Sequence, residues 1–301
     1  MHFLHNTQYK MVKSSNPLSA LVLEGGALRG LFSAGVMDVL MEQQISFDGI
    51  VGVSAGAAFG CNYKSHQAGR AIRYNKRFAH DWRFCSVRSW LTTGDLFGAD
   101  FGYHYMPRHL DVFDEQTFGA DPTHFFVVCT DVETGEPVYK ELREANDEAY
   151  DWIRASASMP LAARIVEIGG RKLLDGGLAD SIPLQFMQQQ GYDRHLVVLT
   201  QPAGYEKKPN RLLPLIRLKY RKYPNFIATA ARRHEMYNRQ LAYVAQEEAA
   251  GRAIVIRPPK KLPIEHLSHN PETMDEVYQL GRKAAKERLE EIAQFVLSAM
   301  K

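Results

Sequence analysis

At 301 residues, with 45% hydrophobic and 24% charged side chains, the chain has a globular composition and can bury a full core, as one large domain or one domain with an appendage. A net charge of +3 is too small to argue for nucleic acid as a partner, and no window approaches the ~18 uninterrupted apolar residues of a membrane span. The first 19 residues lack the apolar core of a signal peptide, and Cys61, Cys85 and Cys129, without any CxxC, fit buried thiols in a reduced, cytoplasmic setting.

After a polar lead-in over residues 1–18, Ala20-Leu21-Val22-Leu23-Glu24 reads as the first strand. Gly25-Gly26-Ala27-Leu28-Arg29-Gly30 follows. A helix then runs to about Gln44, with Phe32, Gly35, Val36, Val39 and Leu40 on one face at helical spacing. A dinucleotide fingerprint would need Gly where Ala27 stands. The loop is better read as an anion cradle, because small residues leave backbone N–H groups bare in front of a helix N-terminus. Arg29 steadies that loop, meets an anionic substrate, or is a surface residue of the first helical turn.

The second strand runs into Gly52-Val53-Ser54-Ala55-Gly56. This is the G-x-S-x-G pattern of a nucleophile elbow, a tight strand-to-helix turn that lifts a Ser hydroxyl out of the sheet edge. Its glycines avoid a collision between strand and helix, and the helix N-terminus places N–H groups and positive dipole beside the hydroxyl. The same five residues also describe an ordinary glycine-rich turn with a capping Ser. Strand, loop, helix and strand form one βαβ unit, so the two strands are parallel neighbours. Residues 25–30 then share one sheet end with Ser54, which is the geometry of an oxyanion hole.

Residues 64–109, rich in Arg, Lys and aromatics, read as short helices and loops beside the site or as plain packing. Phe125–Thr130 reads as a buried strand and Asp131–Tyr139 as a turn with a second strand. A hairpin over Ile165–Asp175 ends in Asp175-Gly176-Gly177. Asp175 is either a partner for an exposed Ser or the first residue of an Asx turn. Asp180 or Ser181 is expected to cap a helix with Pro183 in its first turn, and His195–Thr200 to form another core strand.

Between Lys207 and Arg233 stand nine Lys and Arg and no acid, interleaved with leucines and tyrosines. That run is an interfacial patch for anionic lipid headgroups or the solvated face of a packed helix. A helix from Asn225 to Val244 carries Ile227, Ala230, His234, Tyr237 and Leu241 at three-four spacing, with His234 expected in the core. Ile254-Val255-Ile256 reads as a strand, and Pro271 as the start of one long final helix docked by Leu289, Ile292 and Val296.

Three of these motifs, in this order, resemble the patatin-like phospholipase family. Gly25–Gly30 is similar to its glycine-rich oxyanion loop, Gly52–Gly56 to its elbow and Asp175-Gly176-Gly177 to its D-G-G/A turn. Ala155–Pro160 and Thr130–Glu136 resemble further family segments. The likeness covers residues 19–202, and residues 203–301 resemble a mainly helical extension found in bacterial members. Ala27 departs from the family's third Gly; it still offers an N–H, but a positive φ there would cost about 1 kcal/mol.

The resemblance implies a three-layer α/β/α fold with a mainly parallel central sheet. It also implies a Ser54–Asp175 dyad, without His, that cleaves fatty-acyl esters of phospholipids or related lipids through an acyl-enzyme. Gly25, Gly26, Ala27, Leu28, Arg29 and Gly30 would hold the oxyanion and substrate. Gly52, Val53, Ala55 and Gly56 would shape the elbow, and Gly176 and Gly177 the dyad turn. No metal or cofactor takes part. Two other readings stand beside this one. A Ser–Asp–His triad would draw on His195, His234, His266 or His269, though its oxyanion loop would normally lie much farther upstream of the elbow. A lipid-binding protein could keep the fold without the chemistry.

Overall fold

The computed structural model describes residues 17–264 and 268–297, so the lead-in over residues 1–16 and His266 lie outside the described residues. Eight strands form one sheet: β1 (Ser19–Leu23), β2 (Gly49–Val53), β3 (His124–Asp131), β4 (Pro137–Leu142), β5 (Val166–Ile168), β6 (Arg171–Asp175), β7 (Arg194–Val198) and β8 (Ala253–Ile256). Their order is β5-β6-β3-β2-β1-β7-β8, with β4 also paired to β3. The pairs among β3, β2, β1, β7 and β8 are parallel, and those made by β4, β5 and β6 are antiparallel.

The pairing of β3 decides where the site is built. β2 pairs with His124–Val128, β6 with Cys129–Asp131, and β4 along Phe125–Thr130. β4 therefore takes one edge of β3, while β2 and β6 follow one another along the opposite edge. Val53 lies opposite Val128 and Asp175 opposite Cys129, one residue further on. The ends of two strands thus meet where Ser54 begins.

Alternation along each strand sends Leu21, Leu23, Ile50, Val127 and Val198 to one face and Ala20, Val22, Val51, Val53 and Val197 to the other. The helices Gly30–Glu42, Ala55–Lys64 and Asp147–Ser156 cover the first face, with Pro271–Glu287 packed on the outer side of Gly30–Glu42; Leu184–Gln189 and Pro224–Ala249 cover the second. This is the three-layer α/β/α arrangement that the resemblance implies. All three cysteines are free and buried, and burial pushes the Cys61 thiol up to about 11.

Three local expectations change. The helix Gly30–Glu42 is buried all round from Gly30 to Leu40, not on one face, because Pro271–Glu287 crosses its outer side. The final helical stretch breaks at Arg288 into Pro271–Glu287 and Leu289–Leu297. Arg288 turns inward there, its Nη1 donating to the Val255 carbonyl at 2.7 Å. Neither Asp180 nor Ser181 caps a helix, since the next one begins at Leu184. Asp180 instead accepts from Tyr139 and Gln240, and the Ser181 hydroxyl donates to the Gly177 carbonyl at 2.7 Å.

Candidate active site

Ser54 leaves the end of β2 with φ 56° and ψ −120°, a strained conformation for a residue with a side chain. The flanking glycines are required by contact. A Cβ on Gly52 would stand 2.5 Å from the Gly56 carbonyl oxygen, and one on Gly56 2.4 Å from that of Leu23. The turn is also tied down from the side. The Ser54 N–H donates to Ser156 Oγ at 2.9 Å, and that hydroxyl donates to the Val128 carbonyl at 2.6 Å.

Asp175 meets this turn at the end of β6. Its Oδ2 accepts from Ser54 Oγ at 2.7 Å, and its Oδ1 from the Gly177 N–H at 2.8 Å. Both reading options for Asp175 are therefore realised at once, the Asx turn and the partner of Ser54. The Asp175 N–H donates to the Ser158 carbonyl at 2.9 Å, and its own carbonyl accepts from Thr130 Oγ1 at 2.8 Å. Burial pushes the Asp175 carboxyl above the usual carboxylate range, while the Arg233 charge, the Ser54 hydroxyl and the Gly177 N–H pull the other way. The balance is a more basic carboxylate with one hydroxyl to take a proton from.

The glycine loop lies against the elbow, and a Cβ on Gly25 would come 3.0 Å from Ser54 Cβ. Ala27 has φ 48°, so the strain its departure from Gly implies is present, worth about 1 kcal/mol. The Arg29 N–H donates to the Gly26 carbonyl, and that of Gly30 turns back to Ala27. Gly30 packs away from Ser54, against Ala55 and Phe59. Gly26 and Arg29 border the polar side of Ser54, Leu28 the apolar side, and Ala27 both.

Two cavities meet at Ser54, Ala27 and Met159. One, of about 890 Å³ including its open mouth, has apolar walls that include Leu28, Phe59, Tyr74, Phe97 and Met106. The aromatic stretch over residues 64–109 supplies much of that wall. The other, of about 520 Å³ including its open mouth, is polar and takes Glu24, Arg29, Gln201, Lys207, Arg233 and Tyr237. Glu24 accepts from Tyr237 Oη and from the Thr200 N–H, each at 2.5 Å, and burial raises its pKa.

Sequence reading missed Ser156, Glu24, Lys207, Arg233 and Tyr237 as parts of this neighbourhood. Ser156 had a signal in the small-residue run Ala155–Ser158, and Lys207 and Arg233 are the two ends of the basic run. Histidine is absent from the linings of both cavities among the described residues. His195 pairs with Ala20 at the other end of the sheet, its Nδ1 3.3 Å from the Arg252 carbonyl. His234 is half-buried, not a core residue, with Nδ1 3.1 Å from the Ala231 carbonyl, and His269 Nδ1 lies 2.6 Å from that of Ala79.

A family model described as Patatin-like phospholipase matches residues 21–187, and another, described as a domain of unknown function, matches residues 223–297. The Escherichia coli protein YjjU, itself uncharacterized, is 28% identical over 274 residues, covering 87% of this chain and 74% of that protein. Lysophospholipase NTE1 of Kluyveromyces lactis is 28% identical over 287 residues, covering 87% of this chain and 18% of that protein. For NTE1 of Saccharomyces cerevisiae the figures are 30% over 181 residues, 57% of this chain and 10% of that protein. The chain thus spans less than a fifth of these NTE1 proteins. Among solved structures, VipD from Legionella pneumophila is similar at 12% identity and a TM-score of 0.45, covering 91% of this chain and 67% of that chain. The patatin match takes in more than half of the chain, from β1 and its loop through the elbow to the Asp175 turn, and so the chain belongs to the patatin-like phospholipase family.

Proposed function

We propose that the protein is a serine acyl-ester hydrolase that cleaves fatty-acyl esters of phospholipids or related lipids, with Ser54 as nucleophile and Asp175 as its base. The observation that carries this reading is the 2.7 Å bond from Ser54 Oγ to the buried Asp175, at the junction of an apolar and a polar cavity. The name lysophospholipase, borne by the NTE1 relatives, supports the same chemistry.

In the acylation step Ser54 Oγ bonds to the ester carbonyl carbon while Asp175 takes its proton. The carbonyl oxygen becomes an oxyanion beside the glycine loop, where Gly26, Ala27 and Leu28 can offer N–H groups. Each such donor is worth roughly 3 kcal/mol in the transition state. Collapse breaks the bond to the alcohol oxygen, which leaves with the proton from Asp175. A water then attacks the acyl-enzyme, Asp175 again accepting the proton, and the fatty acid departs as Ser54 is restored. The apolar cavity takes the acyl chain.

A common acyl-enzyme makes one checkable demand. With methanol added, the ratio of methyl ester to free fatty acid should be the same from a p-nitrophenyl ester and from a lysophospholipid carrying the same acyl chain. Ratios that differ between the two donors would contradict a shared intermediate.

The reading extends to peripheral contact with an anionic membrane surface. Trp82, Trp90 and Leu91 are exposed, as are Leu212, Leu215 and Leu218 of the basic run. The two segments come together at Leu161, whose carbonyl accepts from Trp90 Nε1 at 3.0 Å and whose N–H donates to Tyr220 Oη at 3.3 Å. Met159, two residues away, borders both cavities. Arg217, Lys219, Arg221 and Lys222 are exposed along the same run. No helix of the described residues is long and apolar enough to cross a membrane. Sedimentation with anionic liposomes should fall steeply from low to high salt, since surface charge is screened as the Debye length shortens. Neutralising those four cations should weaken binding and spare hydrolysis of a soluble ester; unchanged binding would sink the membrane reading.

A further inference from the structure

One side of the helix Pro224–Ala249 is polar and bonds, residue after residue, to turns of the patatin-matched part of the chain. Asn225, Thr229, Arg233 and Tyr237 follow at four-residue spacing and Gln240 three residues on, so all five share that side. Asn225 Nδ2 donates to the Glu133 carbonyl at 3.0 Å and Thr229 Oγ1 to that of Gly135 at 2.8 Å, both in the turn between β3 and β4. Arg233 Nε donates to the Gly177 carbonyl at 2.6 Å, and Tyr237 Oη to Glu24 Oε1 at 2.5 Å. Gln240 Oε1 accepts from the N–H groups of Ser181 and Ile182 at 3.2 and 3.0 Å.

Two of these bonds end beside the reacting groups. Gly177 orients Asp175 through its N–H, and its carbonyl is gripped by Arg233 and by the Ser181 hydroxyl at 2.7 Å. A Cβ on Gly177 would stand 3.1 Å from Asp175 Oδ1 and 3.2 Å from Arg233 Nη2, so guanidinium and carboxylate share one side of that turn. Glu24 directly precedes the glycine loop. Its Oε2 accepts the Thr200 N–H, and Thr200 Oγ1 donates to the Gly25 carbonyl at 3.2 Å, so Tyr237 holds the foot of the loop. Apolar contacts would dock the helix at less cost than a buried Glu24 and a guanidinium beside a buried carboxylate. The groups that face Asp175 come from several elements: Arg233 from this helix, Lys207 from the segment after β7, Cys129 from β3 and Tyr103 from the wall of the apolar cavity. Burial keeps the thiol and the phenol uncharged. Burial also raises the Asp175 pKa, and the Arg233 charge is the strongest influence against it, ahead of Lys207.

We propose, on the hydrolase reading above, that Arg233 and Tyr237 are positioning residues, Arg233 for the Asp175 turn and Tyr237 for the glycine loop. The region matched as a domain of unknown function then completes the catalytic unit. The test uses the full chain and p-nitrophenyl butyrate, a soluble ester with no charge for a cation to hold. Thr229→Val is the control: it removes a bond from the same side of the same helix, and Thr229 borders neither cavity.

Arg233→Met and Tyr237→Phe should each lower kcat by about tenfold or more with KM little changed, since misplacing a reacting group by ~1 Å can cost ~10²-fold. Thr229→Val should keep the kcat of the unaltered protein. Arg233→Met should also move the acid limb of the kcat/KM profile to higher pH, because the bulk is kept and the charge that opposes Asp175 protonation is lost. Arg233→Lys, which keeps the charge, should return the limb to its place, and Tyr237→Phe should not move it. Arg233→Gln makes the same demand on the limb if the methionine variant does not fold. A folded Arg233→Met or Arg233→Gln with kcat and limb unchanged would overturn the role of Arg233. A loss carried by KM alone would make Arg233 a substrate contact and overturn it equally. A Tyr237→Phe protein that melts earlier yet keeps its kcat would overturn the role of Tyr237. In each of these cases the hydrolase reading stands; an unaltered protein that cleaves no ester would overturn that reading and the positioning roles with it.

Discussion

Asp175→Asn should leave a folded protein whose kcat/KM on acyl esters is lower by the ~10²–10⁴-fold expected when a general base is lost. Ser54→Ala should remove turnover altogether. The amide keeps the shape of the carboxylate and can still accept the Gly177 N–H, but it cannot take the Ser54 proton. Its stability is expected to hold or rise. The Asp175 pKa is raised by folding, so its favourable contribution is complete below the unfolded pKa and is lost as pH rises through the folded one. At neutral pH the buried carboxylate is then a cost that the amide removes. For the same reason the acid limb of the kcat/KM profile should lie above the ordinary Asp range, activity falling as Asp175 is protonated. His195→Ala, His234→Ala and His269→Ala should lose little beyond stability. A folded variant among these three as inactive as Ser54→Ala would install a triad in place of the dyad.

Gly281→Ala should cost about 3 kcal/mol of stability, the upper end of overpacking effects, because its added carbon has nowhere to go. A Cβ there would stand 1.9 Å from the Phe32 carbonyl oxygen and 2.8 Å from its carbonyl carbon. Both are backbone atoms of the helix Gly30–Glu42, so no rotamer change relieves the clash and the two helices must separate. Gly119→Ala is the natural control: its Cβ would meet nothing within 4 Å, in the helix Glu115–Ala120. It should be neutral or stabilising by up to about 1 kcal/mol. Denaturant melts of the two variants report the difference, and a Gly281→Ala melt that matches the unaltered protein would contradict the close crossing.

What the sequence made legible follows from how local each signal is. The elbow, the glycine loop and the hairpin ending at Asp175 are short runs whose residue types fix their own backbone, and all three are found at one end of the sheet. The βαβ unit from β1 to β2 was readable because its helix is short and its strands are an apolar run, Ala20–Leu23, and a β-branched one, Ile50–Val53. The meeting of β2 and β6 on one edge of β3 was not, since it depends on the register of strands more than 120 residues apart, as Ser54 and Asp175 are. Lys207 and Arg233 looked like members of a charged surface run because composition cannot distinguish the ends of a segment that turn inward. The burial of Gly30–Leu40 on every side came from a helix 240 residues downstream, as the bond from Tyr278 to Asp38 illustrates. The helix break at Arg288 carries no Pro or Gly, so periodicity alone ran straight through it.

The central claim is that Ser54 is the nucleophile and Asp175 alone activates it. Labelling with a fluorophosphonate, followed by mass spectrometry of the modified peptide, reads this directly. The account predicts a single adduct on Ser54, absent in Ser54→Ala, formed much more slowly in Asp175→Asn and at an undiminished rate in the histidine variants. An adduct on another residue, or an unlabelled Ser54 in a protein that still cleaves esters, would contradict it.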